Sequence, residues 1–494
     1  MDIKKIKTLG KLKKAGYKSL SVKEELRKNL IERLGSGKTV FENIVGFEDT
    51  VIPDLERAIL SRHNILLLGL RGQAKTKIAR LMTQLLDEYM PIIEGSEIND
   101  DPLMPLSKYG QDKIEEHGDQ TPISWVHRDD RFVEKLATPD VSVADLIGDI
   151  DPIKAASLKL NYSDERVIHF GLVPRANRSI FIINELPDLQ PRIQVSLFNI
   201  LQEGDLQIRG FKLRFPIDIQ FVFTANPEDY TNRGSIVTPL KDRIESQILT
   251  HYPRTIDIAE QITSQEAKLT KEQEKNIYIP DEIRSLLELI SFNARESEYI
   301  DEKSGISARM SISALENLVS AAERRMLINN EKSTTVRITD FWGVIPALTG
   351  KMELVYEGEQ EGPYNVALNL LGKAIKEKFD EHFINPDDAR KKEDKDPYGV
   401  IRAWFSGNNK VEFLVDDSNK DFNAKLGSVE GLKKLISSKN VDKKEEAFYM
   451  ELALHGLAEY EVIGKSLVDA NMTFIDPLAS MLDDMEEDGD LLNF

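Results

Sequence analysis

The chain has 494 residues, 41% of them apolar, no cysteine, and a formal net charge of −19. That length predicts about two to four domains, the absence of cysteine excludes disulfides and thiolate metal sites, and the acidic surplus argues against broad nucleic-acid binding, which needs a basic face. No apolar run approaches the roughly 20 residues of a membrane span, and the lysine-rich first 18 residues are not followed by an apolar signal core, so a soluble, cytoplasmic protein is expected.

In chain order, residues 1–40 read as a basic arm followed by a helix, with Leu26, Leu30, Ile31 and Leu34 at helical spacing. Gly37-Lys38-Thr39 imitates the end of a phosphate-binding loop. Glu32 stands where that loop needs its first Gly, and a helix rather than a strand precedes it. Gly35 and Gly37 therefore read as the stop of the helix. The context missing there is complete at 65–85. Ile65 to Leu68 form a short apolar strand, Gly69 opens a turn, and Ile78, Leu81, Met82 and Leu85 mark one face of a helix. Such a strand–loop–helix wraps phosphates with backbone N–H groups and a helix N-terminus. Lys75 then belongs on the β- and γ-phosphates and Thr76 on Mg²⁺. Ala74 replaces the usual second Gly and is expected to keep a right-handed backbone.

"GLRGQAKT" (69–76) resembles the Walker A loop of the MoxR family of AAA+ ATPases, relatives of the magnesium chelatase ATPase subunit. The resemblance covers about residues 20–380. It implies an α/β fold, a doubly wound parallel sheet with a helical lid, to which a small C-terminal domain is added. It also implies ATP and Mg²⁺ as cofactors. The nucleotide contacts would be Gly69, Arg71, Gly72, Gln73, Ala74, Lys75, Thr76 and Lys77, with Val45 and Gly46 at the adenine. "RSIFIINELPDL" (178–189) resembles Walker B: Glu185 faces the attacking water, and Asn184 stands where the family has the Asp that steadies Mg²⁺. Losing that charge is expected to weaken the metal site by about 10–100-fold. Asp188 reads either as a carboxylate that compensates for that loss or, more simply, as the N-cap of a helix over 190–202. The strand ending in Thr224-Ala225-Asn226-Pro227 resembles sensor 1, with Asn226 orienting water. "TPLKDRIESQI" resembles the arginine-finger segment, assigning Arg243 to a neighbouring subunit's γ-phosphate. "GISARMSISALENL" resembles the sensor 2 helix, with Arg309 as its arginine and Ser311 as a cap. Residues 164–179 resemble the insert before Walker B, and 204–218 the hairpin before sensor 1, turning at Arg209-Gly210.

These readings divide the chain into an arm and helix (1–40), a nucleotide-binding core (41–255), a helical lid (256–385), a charged linker (386–397) and an accessory domain with an acidic tail (398–494), in which 411–417 reads as a strand and 443–468 as a helix. The seven histidines are scattered, with no pair at metal-ligand spacing. The resemblance implies a hexameric ring that hydrolyses ATP to remodel a client or assist metal insertion, with a von Willebrand factor A domain partner. Asn184 leaves open a nucleotide-gated scaffold with weak hydrolysis. A DNA-directed relative would need a basic DNA-binding helix that is not seen.

Overall fold

The computed structural model describes residues 5–38, 41–161, 164–208, 215–227, 235–302, 305–390, 396–437, 441–468 and 471–477. The chain divides into two compact units, Met1–Tyr252 and Pro253–Phe494.

The first unit is built on five parallel strands: β1 (Ile65–Leu68), β2 (Phe132–Leu136), β3 (Ser179–Asn184), β4 (Ile219–Ala225) and β5 (Ser246–Leu249). Their spatial order is β5-β1-β4-β3-β2. The three inner strands are buried at every position, as expected of strands covered on both faces. The two outer strands are only partly buried. Side-chain alternation divides the core. Ile65, Leu67, Ile180, Ile182 and Val222 face the helices α1 (Val22–Gly35), α2 (Val51–Leu60) and α3 (Lys75–Leu81); Leu66, Phe181, Ile183, Phe221 and Phe223 face the opposite layer. A sheet of this kind binds ligands beyond its strand carboxyl ends.

Several expectations need correction here. The N-terminal segment is no separate arm. Leu26 and Leu30 of α1 are buried in the sheet's core, whereas Ile31 and Leu34 are exposed. Arg131 forks onto Glu25 of the same helix at 2.7 and 2.6 Å, both side chains buried. Ahead of α1, Ile6 and Leu12 pack on Ile123, and Lys13 pairs with Asp119 at 2.9 Å. The stretch 164–179 is joined to what precedes it: Ile168–Phe170 pairs antiparallel with Gly148–Ile150, around a helix over Pro152–Leu158. The helix expected over 190–202 breaks at Leu197 into α4 (Pro191–Ser196) and α5 (Phe198–Glu203), and Gln190, not Asp188, is its N-cap residue. In the hairpin, Asp205–Leu206 pairs with Phe215–Pro216; its turn at 209–210 lies outside the described residues.

The second unit is mostly helical, with α6 (Ile256–Glu266), α7 (Asp281–Arg295), α8 (Arg309–Ile328), α9 (Pro363–His382) and α10 (Glu446–Glu459). One hydrophobic cluster runs from Ile277 to Phe474, so residues beyond 398 share the core of the lid helices instead of building their own. Gly456 of α10 meets Phe379 of α9 so closely that an added Cβ would overlap the ring. Within 411–417, the strand covers Val411–Phe413. Residues 443–468 divide into α10 and a strand, Gly464–Val468, and both strands flank Asn471–Ile475 in an antiparallel sheet. Part of the linker and nearly all of the acidic tail lie outside the described residues. Among the described residues, no helix is long and apolar enough to cross a membrane.

Candidate nucleotide site

At the carboxyl end of β1 the chain turns through Gly69 to Ala74 and enters α3. An added Cβ at Gly69 would overlap Thr250 Oγ1 and Gln73 Oε1. Those two atoms bond each other at 2.6 Å, with the Thr250 hydroxyl donating, and Gln73 is buried. The loop is thus anchored to the end of β5, and the Tyr252 hydroxyl adds a bond to the Arg71 carbonyl at 2.9 Å. Gly72 has φ +73°, a left-handed conformation free of cost for glycine. Ala74 corrects the expectation made for it: it is left-handed too, with φ 55° and ψ 15°. Lys75 is buried, and its ammonium donates to the carbonyls of Gly69 and, at 2.9 Å, of Leu70. Lys77 donates to the Asn43 carbonyl at 3.1 Å, which brings the segment carrying Val45 and Gly46 to α3. That segment is also tied to the end of β5, by Thr50 Oγ1 against His251 Nε2 at 2.9 Å.

The strand ends beside the loop carry the polar groups. Asn184 closes β3, and its Oδ1 accepts from the hydroxyls of Thr76 (3.2 Å) and Thr224 (3.1 Å). Its Nδ2 donates to Glu134 Oε1 on β2 at 2.7 Å. Glu185 follows in a left-handed conformation, φ 54°, and its N–H donates to Thr224 Oγ1 at 3.2 Å. Asn226, one residue past β4, is 5% exposed, and its buried Oδ1 has no hydrogen-bond partner among the described residues. A buried acceptor left unmatched is costly, so this atom fits a site completed by a ligand or water. Together with the tight glycine turn and the buried ammonium, it suits a Mg²⁺–nucleotide complex.

Arg243 and Arg309 are placed differently. Arg243 follows a short helix, Thr238–Lys241, and bonds Gln202 Oε1 (3.1 Å) and the Pro239 carbonyl (2.7 Å), with its guanidinium 5.0 Å from the centre of the Phe198 ring. Arg309 is the first residue of α8 in the second unit and is exposed. Ser311 does not cap that helix. It lies inside it, buried, and donates to Glu288 at 2.9 Å; the Arg309 N–H is met by Ser307 Oγ at 3.1 Å. Sequence reasoning missed Glu134, Thr224, Thr250 and Asn43 as parts of the site. Only Thr224 carried a local signal, its place at the end of a buried strand.

A 212-residue stretch is 25% identical to the magnesium-chelatase 38 kDa subunit of Cereibacter sphaeroides, covering 41% of this chain and 56% of that protein. Another of 220 residues is 26% identical to the same subunit from Rhodobacter capsulatus, covering 44% and 57%. With the motif order and the parallel β5-β1-β4-β3-β2 sheet, these matches support a likeness to the magnesium-chelatase ATPase subunit. The chain is similar to the MoxR and magnesium-chelatase AAA+ ATPases. The chain spans a little over half the length of those curated relatives, and no family profile matches it. Among solved structures, a cryo-EM complex between subunits BchI and BchD of magnesium chelatase aligns over 65% of this chain and 98% of that one, at 20% identity and a TM-score of 0.34.

Proposed function

We propose that the chain binds ATP with Mg²⁺ at the carboxyl ends of β1, β3 and β4 and hydrolyses it. The observation that carries this reading is convergence. Lys75, Thr76, Asn184 and Thr224 lie within one hydrogen-bonded group of loop and strand ends, next to the unmatched Oδ1 of Asn226. Loop N–H groups and the Lys75 ammonium bind the β- and γ-phosphates. Thr76 and the Asn184 relay hold Mg²⁺, which when bound offsets triphosphate charge. Glu185 takes the proton of the attacking water, oriented by Asn226. Lys77, Val45 and Gly46 belong to the wall around the base. In a ring, Arg243 leaves its place over Phe198 for a neighbour's γ-phosphate.

The experiment is phosphate release by Lys75→Ala. Loss of at least about 100-fold is expected, as for a group that stabilises transferring phosphate charge; unchanged release overturns the reading. Arg243→Ala should cut turnover by about 10³-fold or more while ADP affinity holds. A hexamer, a von Willebrand factor A domain partner and a client that is remodelled or receives a metal follow from the family likeness. Capture of partners by the Glu185→Gln form in ATP tests them. Asn184 favours one second reading, a nucleotide-gated scaffold with slow hydrolysis.

A further inference from the structure

Asn184 removes a full negative charge from the place where the family keeps an aspartate, yet the structure holds a carboxylate one hydrogen bond away. Glu134 sits on β2 opposite Ile182 in the register, on the same sheet face as Asn184. Its Oε1 accepts the Asn184 amide at 2.7 Å. Its Oε2 accepts from Arg80 of α3 at 2.7 Å, and Arg80 lies over the Phe132 ring at 4.9 Å. The Arg80 side chain is 63% exposed, so solvent screens its charge and the pair is weakly neutralising. The Asn184 amide has one orientation that satisfies all its neighbours. Oδ1 takes two hydroxyl donors, which fills its two lone pairs, and Nδ2 faces the carboxylate. Turned over, it would set Oδ1 against Glu134. The Thr76 hydroxyl, Asn184 and Glu134 therefore form one chain from the metal side of the loop to a carboxylate at the sheet's edge.

We propose that Glu134 is a positioning residue that supplies the negative charge of the Mg²⁺ site, acting through Asn184, so that the acid sits on the neighbouring strand rather than being lost. The proposal rests on the ATP-site reading given above. Its consequence runs against the simple expectation that Asn184→Asp restores the site. With Glu134 in place, Asn184→Asp would bring two carboxylates to hydrogen-bond distance, where like charges disfavour ionisation of both. Restoration needs both changes together.

The test compares the full chain in four forms: unchanged, Glu134→Gln, Asn184→Asp, and the two combined. Affinity for a fluorescent ADP analogue is measured in Mg²⁺ and in EDTA, and the ratio reports metal coupling apart from turnover. Glu134→Gln is expected to lower that ratio by about 10-fold, the usual effect of a lost supporting partner of a metal, while affinity in EDTA stays unchanged. Asn184→Asp alone should not raise the ratio, and the combined form should return it to the unchanged chain's value. A merely structural role for Glu134 gives no such rescue. Full metal coupling in Glu134→Gln, or a rise in Asn184→Asp alone, overturns the proposal while leaving the ATP site standing. Absence of nucleotide binding by the unchanged chain, in either buffer, overturns both.

Discussion

Ala74 occupies a backbone conformation that costs a residue with a Cβ about 1–2 kcal/mol. Glycine would avoid that cost but has more freedom to lose on folding, and the Ala74 methyl packs against the apolar layer under α3. These terms nearly cancel, so Ala74→Gly should change stability by less than about 1 kcal/mol. Ala74→Val is different, because a β-branched side chain at positive φ is a severe outlier. It should destabilise the first unit by about 2 kcal/mol or more and weaken nucleotide binding, read by urea unfolding and ligand titration. A right-handed backbone would accept Val with little loss, so a tolerated valine would contradict the geometry at 74. The sequence made Lys75 and Thr76 legible because their spacing from Gly69 is local. It hid the handedness of Ala74, which is imposed by a loop pinned through Gln73 to Thr250. It hid Glu134 more thoroughly: that residue meets Asn184 only across a strand pairing, 50 positions away along the chain.

Among elements, the legible ones were those whose apolar pattern had one explanation. β1, β3 and β4 each carry a short apolar run (Ile65–Leu68, Ile180–Ile183, Phe221–Phe223) with a turn beyond the strand, and each is a buried inner strand. The stretch 443–468 is apolar enough to continue as a helix, but the chain turns at Glu461, with φ 54°, and the rest becomes strand. Its sheet partner at 471–475, itself paired on its other edge with 411–413, is what selects that state, and partners are not visible to local periodicity. The absence of a side chain at Gly456 likewise had no meaning until α9 was laid against it. Gly456→Ala would gain helix propensity of about 1 kcal/mol in isolation. In this packing it must displace the Phe379 ring, and overpacking of this kind costs about 1–3 kcal/mol. The expected net result is destabilisation of the second unit, seen as a lower urea midpoint. A more stable variant would mean that α9 and α10 do not meet at this glycine.

For the molecule as a whole, the net charge of −19 draws attention to acids, but two buried groups of opposite tendency contribute to the pH response of the second unit, beside Glu288, whose carboxyl is also pushed up by burial. Glu451 accepts the N–H groups of Ile338 and Thr339 at 2.8 Å each, and burial pushes its carboxyl up to about 7. His455 lies one turn further along α10, its Nε2 4.0 Å from Glu451, and burial pushes it down to about 3. A raised acid stabilises the fold below its unfolded pKa, and that contribution is lost as pH rises through about 7. A lowered histidine gives stability that is present above its unfolded value of about 6.5 and lost as pH falls toward 3. Between about pH 5 and 6.5 the two slopes oppose and stability should be nearly flat. From about 6.5 to 8 the Glu451 contribution is lost by about 1 kcal/mol, a fall of about 2–4 °C in the transition of a unit this size. Glu282, half-buried against His382 and Lys378, is held at about 2 and lies outside that window. Glu451→Gln removes the alkaline slope and uncovers the histidine, so this variant should be flat above about 6.5 and lose stability as pH drops below it. Trp125→Phe removes the first unit's tryptophan and leaves Trp342 and Trp404 to report on the second unit alone. An alkaline fall of the same size in Glu451→Gln would show that this carboxyl is not what titrates.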